Sequence, residues 1–196
     1  MQEERILQKA LSGDSAAFEA LIAPYENRIY QVCLRMMGKP EDALDMAQES
    51  LLRIYKSLKT FKHQAKLSTW IYRLTTNACL DELRRRKRML PLGLHEDAGN
   101  VIDMAAGTPG PHEDYLRHEQ TQAIRVALAQ LSEDHRAIII LRDIQGLSYE
   151  EVSQVLSLNI NTVRSRIFRA RRELREKLNP NMDLFGAGSV NVSGAR

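Results

Sequence analysis

Apolar residues recur at helical spacing through nearly all of this chain, and nowhere at the two-residue spacing of a strand. In residues 15–36 the apolar set is Phe18, Leu21, Ile22, Tyr25, Ile29, Val32, Cys33 and Met36, one face of a helix. Residues 41–58 place Ala43, Leu44, Ala47, Leu51, Ile54, Tyr55 and Leu58 on one face. Pro40 precedes them at a first-turn position, where its missing N–H costs nothing. Residues 67–88 carry Leu67, Ile71, Leu74 and Ala78, with Ser68 or Thr69 placed to cap. Residues 113–130, 133–144, 148–156 and 161–178 each carry a further stripe. The fold class is therefore all-α.

The period fails at residues 91–112, which hold three of the six prolines and four of the ten glycines. That stretch reads as a flexible linker. It divides the chain into a helical domain over 1–90 and a second over 113–178, with a flexible tail over 179–196. Each domain is small for an independent core, so modest stability and reliance on a partner are expected.

Composition removes several classes. With 43% hydrophobic and 27% charged residues the chain is globular rather than disordered. Its longest apolar run, Ala137 to Leu141, falls far short of the roughly 18–20 residues that span a bilayer. Met1-Gln2-Glu3-Glu4-Arg5 shows no secretory pattern, and two cysteines suit a reducing cytoplasm. Cys33 lies on an apolar stripe and Cys79 reads as a small buried thiol. The five histidines and two cysteines show no zinc spacing, and Asp81-Glu82 is a lone acidic pair. No metal, cofactor or catalytic site is expected.

Ser148-Tyr149-Glu150-Glu151 is a capping box, with Ser at the N-cap and Glu three residues on. The short helix it starts turns Val152, Val155 and Leu156 inward. Ser157 to Asn161 form a turn of residues that cap helices and tolerate left-handed backbone. A longer helix then runs from Thr162 to Leu178, completing a helix-turn-helix. Val163, Ile167, Ala170, Leu174 and Leu178 share its inner face. Arg164, Ser165, Arg166, Phe168, Arg169, Arg172 and Arg175 lie on or beside the outer one. Residues 161–178 carry seven basic and two acidic residues, +5 within a chain whose total is only +3. Six of the seven are Arg, whose fork binds guanine or phosphate bidentately. An outward Phe168 suits a thymine methyl.

The first domain has a second basic surface. Arg84-Arg85-Arg86-Lys87-Arg88 ends a helix, where positive charge also complements the dipole. Up the same helix, Trp70, Arg73, Asn77, Asp81, Arg84 and Arg88 share one face. An aromatic ring among basic and amide groups is what unstacked bases require. Phe61, Lys62, His63 and Lys66 form a basic-aromatic loop just before it. The preceding helix has opposite polarity: Glu41, Asp42, Asp45 and Glu49 crowd its start with Gln48 between. Spacing alone leaves open whether these acids serve the dipole or dock a basic partner.

Taken in order, these residues resemble a group IV, extracytoplasmic-function, RNA polymerase sigma factor of bacteria. The resemblance rests on Asp45-Met46-Ala47-Gln48-Glu49-Ser50-Leu51-Leu52-Arg53-Ile54-Tyr55, and on Phe61 followed by Leu67 through Leu74. Asn77, Asp81, the basic run, Leu147 through Glu151, and Thr162 through Arg171 complete it, so it covers residues 1 to about 178. It implies sigma region 2 over 1–90, which reads and melts the −10 element, and region 4 over 113–178, which binds the −35 element. It implies that Asp45, Gln48, Glu49 and Leu52 dock on the β′ clamp coiled coil of core RNA polymerase, with the β flap as a second contact. It implies that the 61–66 loop pockets a flipped −10 base, with Phe61, Lys62, Trp70, Arg73, Asn77, Asp81, Arg84, Arg85 and Arg88 on the opened strand. Arg164, Ser165, Arg166, Phe168, Arg169 and Arg172 would meet the −35 duplex, and the linker would thread toward the RNA exit channel. An anti-sigma factor, often membrane-bound, and a stress or envelope regulon are further implications. Two positions depart from the family pattern: Leu158-Asn159-Ile160-Asn161 replaces a common Pro and Gly, and Ser153 stands where Ala is usual. The alternatives are a stand-alone helix-turn-helix regulator and a nucleic-acid enzyme. The first lacks a sensory pattern, and the second lacks a catalytic cluster.

Overall fold

The structure, a computed structural model, describes residues 2–62, 65–89 and 112–180. Eight α-helices follow one another among these residues, with no strand: α1 (Gln2–Leu11), α2 (Ser15–Met37), α3 (Pro40–Ser57), α4 (Leu67–Met89), α5 (His112–Ala129), α6 (Glu133–Ile139), α7 (Tyr149–Leu156) and α8 (Ile160–Leu178). The all-α reading and the division into two helical domains hold. The linker reading, apart from His112, and the tail beyond Pro180 lie outside the described residues.

Helix α1 has no counterpart in the stripes read above. Its signal is short: Leu7 and Ala10 are buried against α2, with Ile6 and Leu11 packed beside them. Helices α2, α3 and α4 form the rest of the first domain, and α2 contacts both of the others. The Asp14 carboxylate caps α2, accepting from Ala17 N at 3.0 Å. Gly38 ends it at φ 83°, its N–H donating to the Leu34 carbonyl, a left-handed backbone that Gly adopts without cost. Pro40 opens α3 as expected.

Three expectations need correction. Ser68 and Thr69 do not cap α4, because the helix already begins at Leu67 and Trp70 N donates to the Lys66 carbonyl. Leu44 and Tyr55 are not on the inner face of α3, being 53% and 54% exposed. The buried stripe is the narrower set Ala43, Ser50 and Ile54, and Leu44 and Tyr55 sit beyond its edge. Residues 133–144 are not one α-helix: α6 ends at Ile139 and Ile140–Ile144 form a π-helical turn, closed by Gln145 N donating to the Ile140 carbonyl at 2.9 Å.

The two domains are not separate beads. Helix α4 packs on α6 and α7, and α2 on α5 and α6. One buried apolar cluster runs from Leu7 in α1 to Ala170 in α8. Arg136 sits in the seam, buried, with its guanidinium donating to the carbonyls of Leu128 (2.9 Å), Ala129 (2.6 Å), Leu131 (3.2 Å) and, across the seam, Met36 (2.6 Å). A buried cation is costly unless its donors are matched. Here it closes the C-terminal ends of α5 and α2, whose last carbonyls lack helical partners.

Candidate nucleic-acid interface

The α7–α8 turn is built by its caps. Ser148 Oγ accepts from Glu151 N at 3.1 Å, and Ser148 N donates to the Glu151 carboxylate at 2.8 Å, so the capping box is complete. Ser157 ends α7 at φ 53°, and Leu158 N donates to the Ser153 carbonyl at 3.0 Å. Asn159 caps α8 by accepting from Asn161 N at 2.9 Å. Thus Ser157, not an asparagine, takes the left-handed position, and Asn159 does the capping. Ser153 also holds the turn, its hydroxyl donating to the Leu158 carbonyl. That gives the departure from Ala a structural use.

Behind this turn α8 buries Val163, Ile167, Ala170 and Leu178. Its opposite face exposes Arg164, Ser165, Phe168, Arg169 and Arg172 together. Phe168 is 70% exposed, apolar area left in water with nothing among the described residues to cover it. Arg166 is the exception in the set: it is half-buried, and Nη1 donates to Asp134 Oδ2 of α6 at 3.0 Å. Such a half-exposed pair contributes at most about 1 kcal/mol and yields readily to a phosphate.

On α4, Arg73, Asn77, Asp81, Arg84, Arg85 and Arg88 are all exposed. Arg53 of α3 holds Asp81, Nη1 to Oδ2 2.9 Å. Arg85 is tied to Glu82 at 2.7 Å. Arg86, half-buried, forks onto both Asp42 oxygens at 2.7 and 2.8 Å and reaches Glu82 at 2.8 Å. These hydrogen bonds, from Arg85 first and then Arg86, pull the Glu82 carboxyl down to about 2. The Arg86 fork likewise holds Asp42 below the usual carboxylate range. Part of the basic run is therefore spent on the fold, joining α4 to the start of α3.

Trp70 is placed differently from the helical-face reading. It is 5% exposed, because the segment after α3 folds over it and sets Phe61 against it, ring centroids 5.4 Å apart. The two rings help line a cavity of about 230 Å³ with Lys62, Thr69, Arg73 and, from α7, Gln154. Aromatic walls with a Lys and an Arg at the mouth match a flat heterocycle attached to phosphate.

Helix α3 carries the third surface. Asp45, Gln48, Leu52, Leu44 and Tyr55 are exposed on one side, Leu52 by 52%. Glu49 is half-buried and paired with Arg53 at 2.8 Å. Leu44 and Tyr55 are the residues that stripe counting assigned inward. The signal that could have separated them was Ser50, whose hydroxyl donates to the Met46 carbonyl at 2.6 Å. It is a small residue at the centre of the buried face, shifting that face away from Leu44. Asp45, Gln48, Leu52, Leu44 and Tyr55 make an apolar strip edged with carboxylate and amide.

Cys33 and Cys79 meet in the first domain's core, sulfurs 3.7 Å apart and both unexposed. The Cys79 thiol donates to Cys33, which keeps Cys79 protonated and favours charge on Cys33. Both are therefore core residues, Cys33 as its place on the stripe suggested and Cys79 as expected of a small buried thiol. Among the described residues no cluster of His, Cys, Asp and Glu could hold a metal ion. No described helix is long and apolar enough to cross a membrane.

Comparison with known proteins matches two segments of the chain. Residues 21–89 match Sigma-70 region 2, and residues 121–174 match Sigma-70, region 4. The chain is 36% identical over 170 residues to the ECF RNA polymerase sigma factor SigE of Mycolicibacterium smegmatis, covering 85% of this chain and 65% of that one. It is 31% identical over 182 residues to the ECF RNA polymerase sigma factor SigW of Bacillus subtilis, covering 91% of this chain and 97% of that one. Among solved structures it resembles the sigma factor RpoE of Bartonella quintana, crystallised with the anti-sigma factor NepR. That match has a TM-score of 0.65 at 25% identity and covers 83% of this chain and 96% of the other.

Proposed function

Because the chain belongs to the extracytoplasmic-function sigma factors of bacterial RNA polymerase, we propose that its three exposed surfaces divide promoter recognition among them. The outer face of α8 reads duplex at the −35 element. Arg164, Arg169 and Arg172 supply guanine and phosphate forks, Ser165 a hydroxyl, and Phe168 an apolar contact. Arg166 joins them by exchanging Asp134 for DNA. A good bidentate Arg–guanine pair is worth about 1–3 kcal/mol of discrimination.

The cavity that Phe61 and Trp70 help to line takes one base extruded from the −10 strand, with Lys62 and Arg73 at the phosphates. Asn77, Asp81, Arg84, Arg85 and Arg88 continue the track along α4. Unstacking costs a few kcal/mol per base, and ring stacking returns about 1–3 kcal/mol. Capture of the opened strand therefore replaces any bound energy source. On this reading the chain is a specificity subunit without catalytic chemistry, working in the bacterial cytoplasm where polymerase and chromosome meet.

The α3 strip of Leu44, Asp45, Gln48, Leu52 and Tyr55, with Glu49 beside it, docks on a basic-edged helix of core polymerase at the β′ clamp, and the second domain reaches the β flap. A regulatory partner of the anti-sigma kind, like the one bound to the Bartonella quintana protein, is proposed for this chain as well. The domains are assigned as region 2 over 1–90 and region 4 over 113–178.

The observation that carries the reading is α8: a helix behind a fully capped turn that exposes Phe168 among Arg164, Ser165, Arg169 and Arg172 rather than burying it. Run-off transcription with core RNA polymerase tests it. Promoter-specific initiation is expected only when the chain is added. Tight, sequence-specific promoter binding by the chain alone would instead support a stand-alone regulator.

A further inference from the structure

Helix α8 is held on both flanks by α6 and the turn that ends it. Its inner face is Val163, Ile167 and Ala170, buried, with Leu174 packed beside them. At about 100° per residue, Arg166 and Glu173 fall about 60–80° to one side of Val163, and Arg171 about 80° to the other. All three are paired. Arg166 Nη1 donates to Asp134 Oδ2 at 3.0 Å. Glu173 Oε2 meets His135 Nδ1 at 2.6 Å. On the opposite flank Arg171 forks onto Asp143, with Nε donating to Oδ2 at 3.0 Å and Nη2 to Oδ1.

Asp143 stands on a stiff mount. It belongs to the π-helical turn Ile140–Ile144, which Gln145 N closes on the Ile140 carbonyl at 2.9 Å and Leu147 N on the Leu141 carbonyl at 3.1 Å. Arg142 next to it lies over the Tyr149 ring, 4.7 Å from the centroid, and its Nη1 donates to the Leu147 carbonyl at 2.6 Å. The carboxylate that grips α8 is thus fixed to the segment that starts the helix-turn-helix.

We propose that Asp143 is a positioning residue that sets the roll of α8 about its own axis, with Asp134 and His135 steadying the other flank. This deepens the −35 reading of α8 and rests on it. Apolar burial is non-directional and leaves a helix free to rock, whereas a forked Arg–carboxylate pair fixes geometry. A roll of about 20° moves the outer surface of a helix, about 6 Å from its axis, by about 2 Å. That is enough to break a bidentate hydrogen bond to a base. Phosphate contacts from long side chains accommodate such a shift, but base-edge contacts do not. The Asp143 fork also keeps the helix seated when Arg166 exchanges Asp134 for DNA. Discrimination among −35 sequences is therefore the property that depends on Asp143.

Asp134 also reaches Arg84 of α4 at 3.6 Å, so the test is placed at Asp143, whose partner Arg171 lies on α8 itself. The full chain, bound to core RNA polymerase, selects from promoter duplexes randomised over the −35 and −10 elements. Parent, Asp143→Asn and Asp143→Glu are compared, with thermal melts of each free chain. Asp143→Asn is expected to lower the preference for the selected −35 sequence over its single-base mismatches by roughly fivefold, part of what one bidentate base contact supplies. Its −10 preferences and melting temperature are expected to match the parent. Asp143→Glu, which returns the carboxylate, is expected to restore the −35 preference to within about twofold. Equal −35 preference in Asp143→Asn and parent would overturn the proposal. So would a loss that Asp143→Glu fails to recover, or one accompanied by an equal loss at the −10 element or by a fall in melting temperature. A parent holoenzyme that selects no −35 sequence would remove the −35 reading itself, and the proposal with it.

Discussion

Arg169 stands on the exposed side of α8, so its removal touches no packing. Arg169→Ala is expected to lower holoenzyme occupancy of its promoter by roughly 10–100-fold, the equivalent of about 1–3 kcal/mol, with no change in melting temperature. Arg169→Lys should recover only part, since a point charge lacks the fork. Footprinting beside thermal melts checks both. The paired carboxylates of the first domain make a different prediction. Glu82 titrates near 2 in the folded chain instead of 4.5, drawn down by Arg85 and Arg86, and Asp42 is drawn down by Arg86. A depressed carboxylate stabilises above its unfolded pKa and loses that contribution as pH falls through the folded one. Stability should therefore decline from about pH 4.5 toward pH 2, and Asp42→Asn with Glu82→Gln should flatten that acid limb in urea melts. Side chains of this kind were visible in the sequence as a basic run, but not their division of labour. Arg84 and Arg88 face solvent while Arg86 turns to α3, which depends on where α3 lies.

At the level of the helix, the caps are the most direct translation of sequence into structure. The Ser148–Glu151 box was readable from residue type and spacing, and Ser148→Ala is expected to cost about 1 kcal/mol, lowering the melting temperature by about 2–4 °C. Helix α3 shows where reading by stripes stops. Its period was right and its face was misplaced, because Leu44 and Tyr55 count as apolar wherever they point. The exposed side is informative on that account. Leu52→Ala should leave melting unchanged, yet weaken core polymerase binding about tenfold or more, since burying such a side chain is worth about 1.5–3 kcal/mol. Loss of stability without loss of polymerase affinity would show that this side chain serves the fold. Trp70 is the converse case. It lies on the polar face by helical arithmetic, but the segment ending in Phe61 folds over it, a tertiary event no periodicity records.

For the molecule as a whole, the helical class and the presence of two helical domains were legible in composition and period. The seam between the domains was not, since Tyr72 meets Gln145 and Arg136 meets Met36 across long stretches of chain with no local signature. A core continuous from Leu7 to Ala170 has a thermal consequence. The free chain should unfold in a single calorimetric transition, its van't Hoff and calorimetric enthalpies agreeing. Two separated endotherms would show domains that melt independently. Arg136 gives the seam a further property. Each of its acceptors is a main-chain oxygen, and every residue type carries one. Leu128, Ala129, Leu131 and Met36 are therefore held to a geometry and not to a side-chain identity at that contact. Arg136 itself has no substitute, since a lysine ammonium has three donors in a different arrangement. The joint tolerates change in everything it grips and none in the hand that grips it.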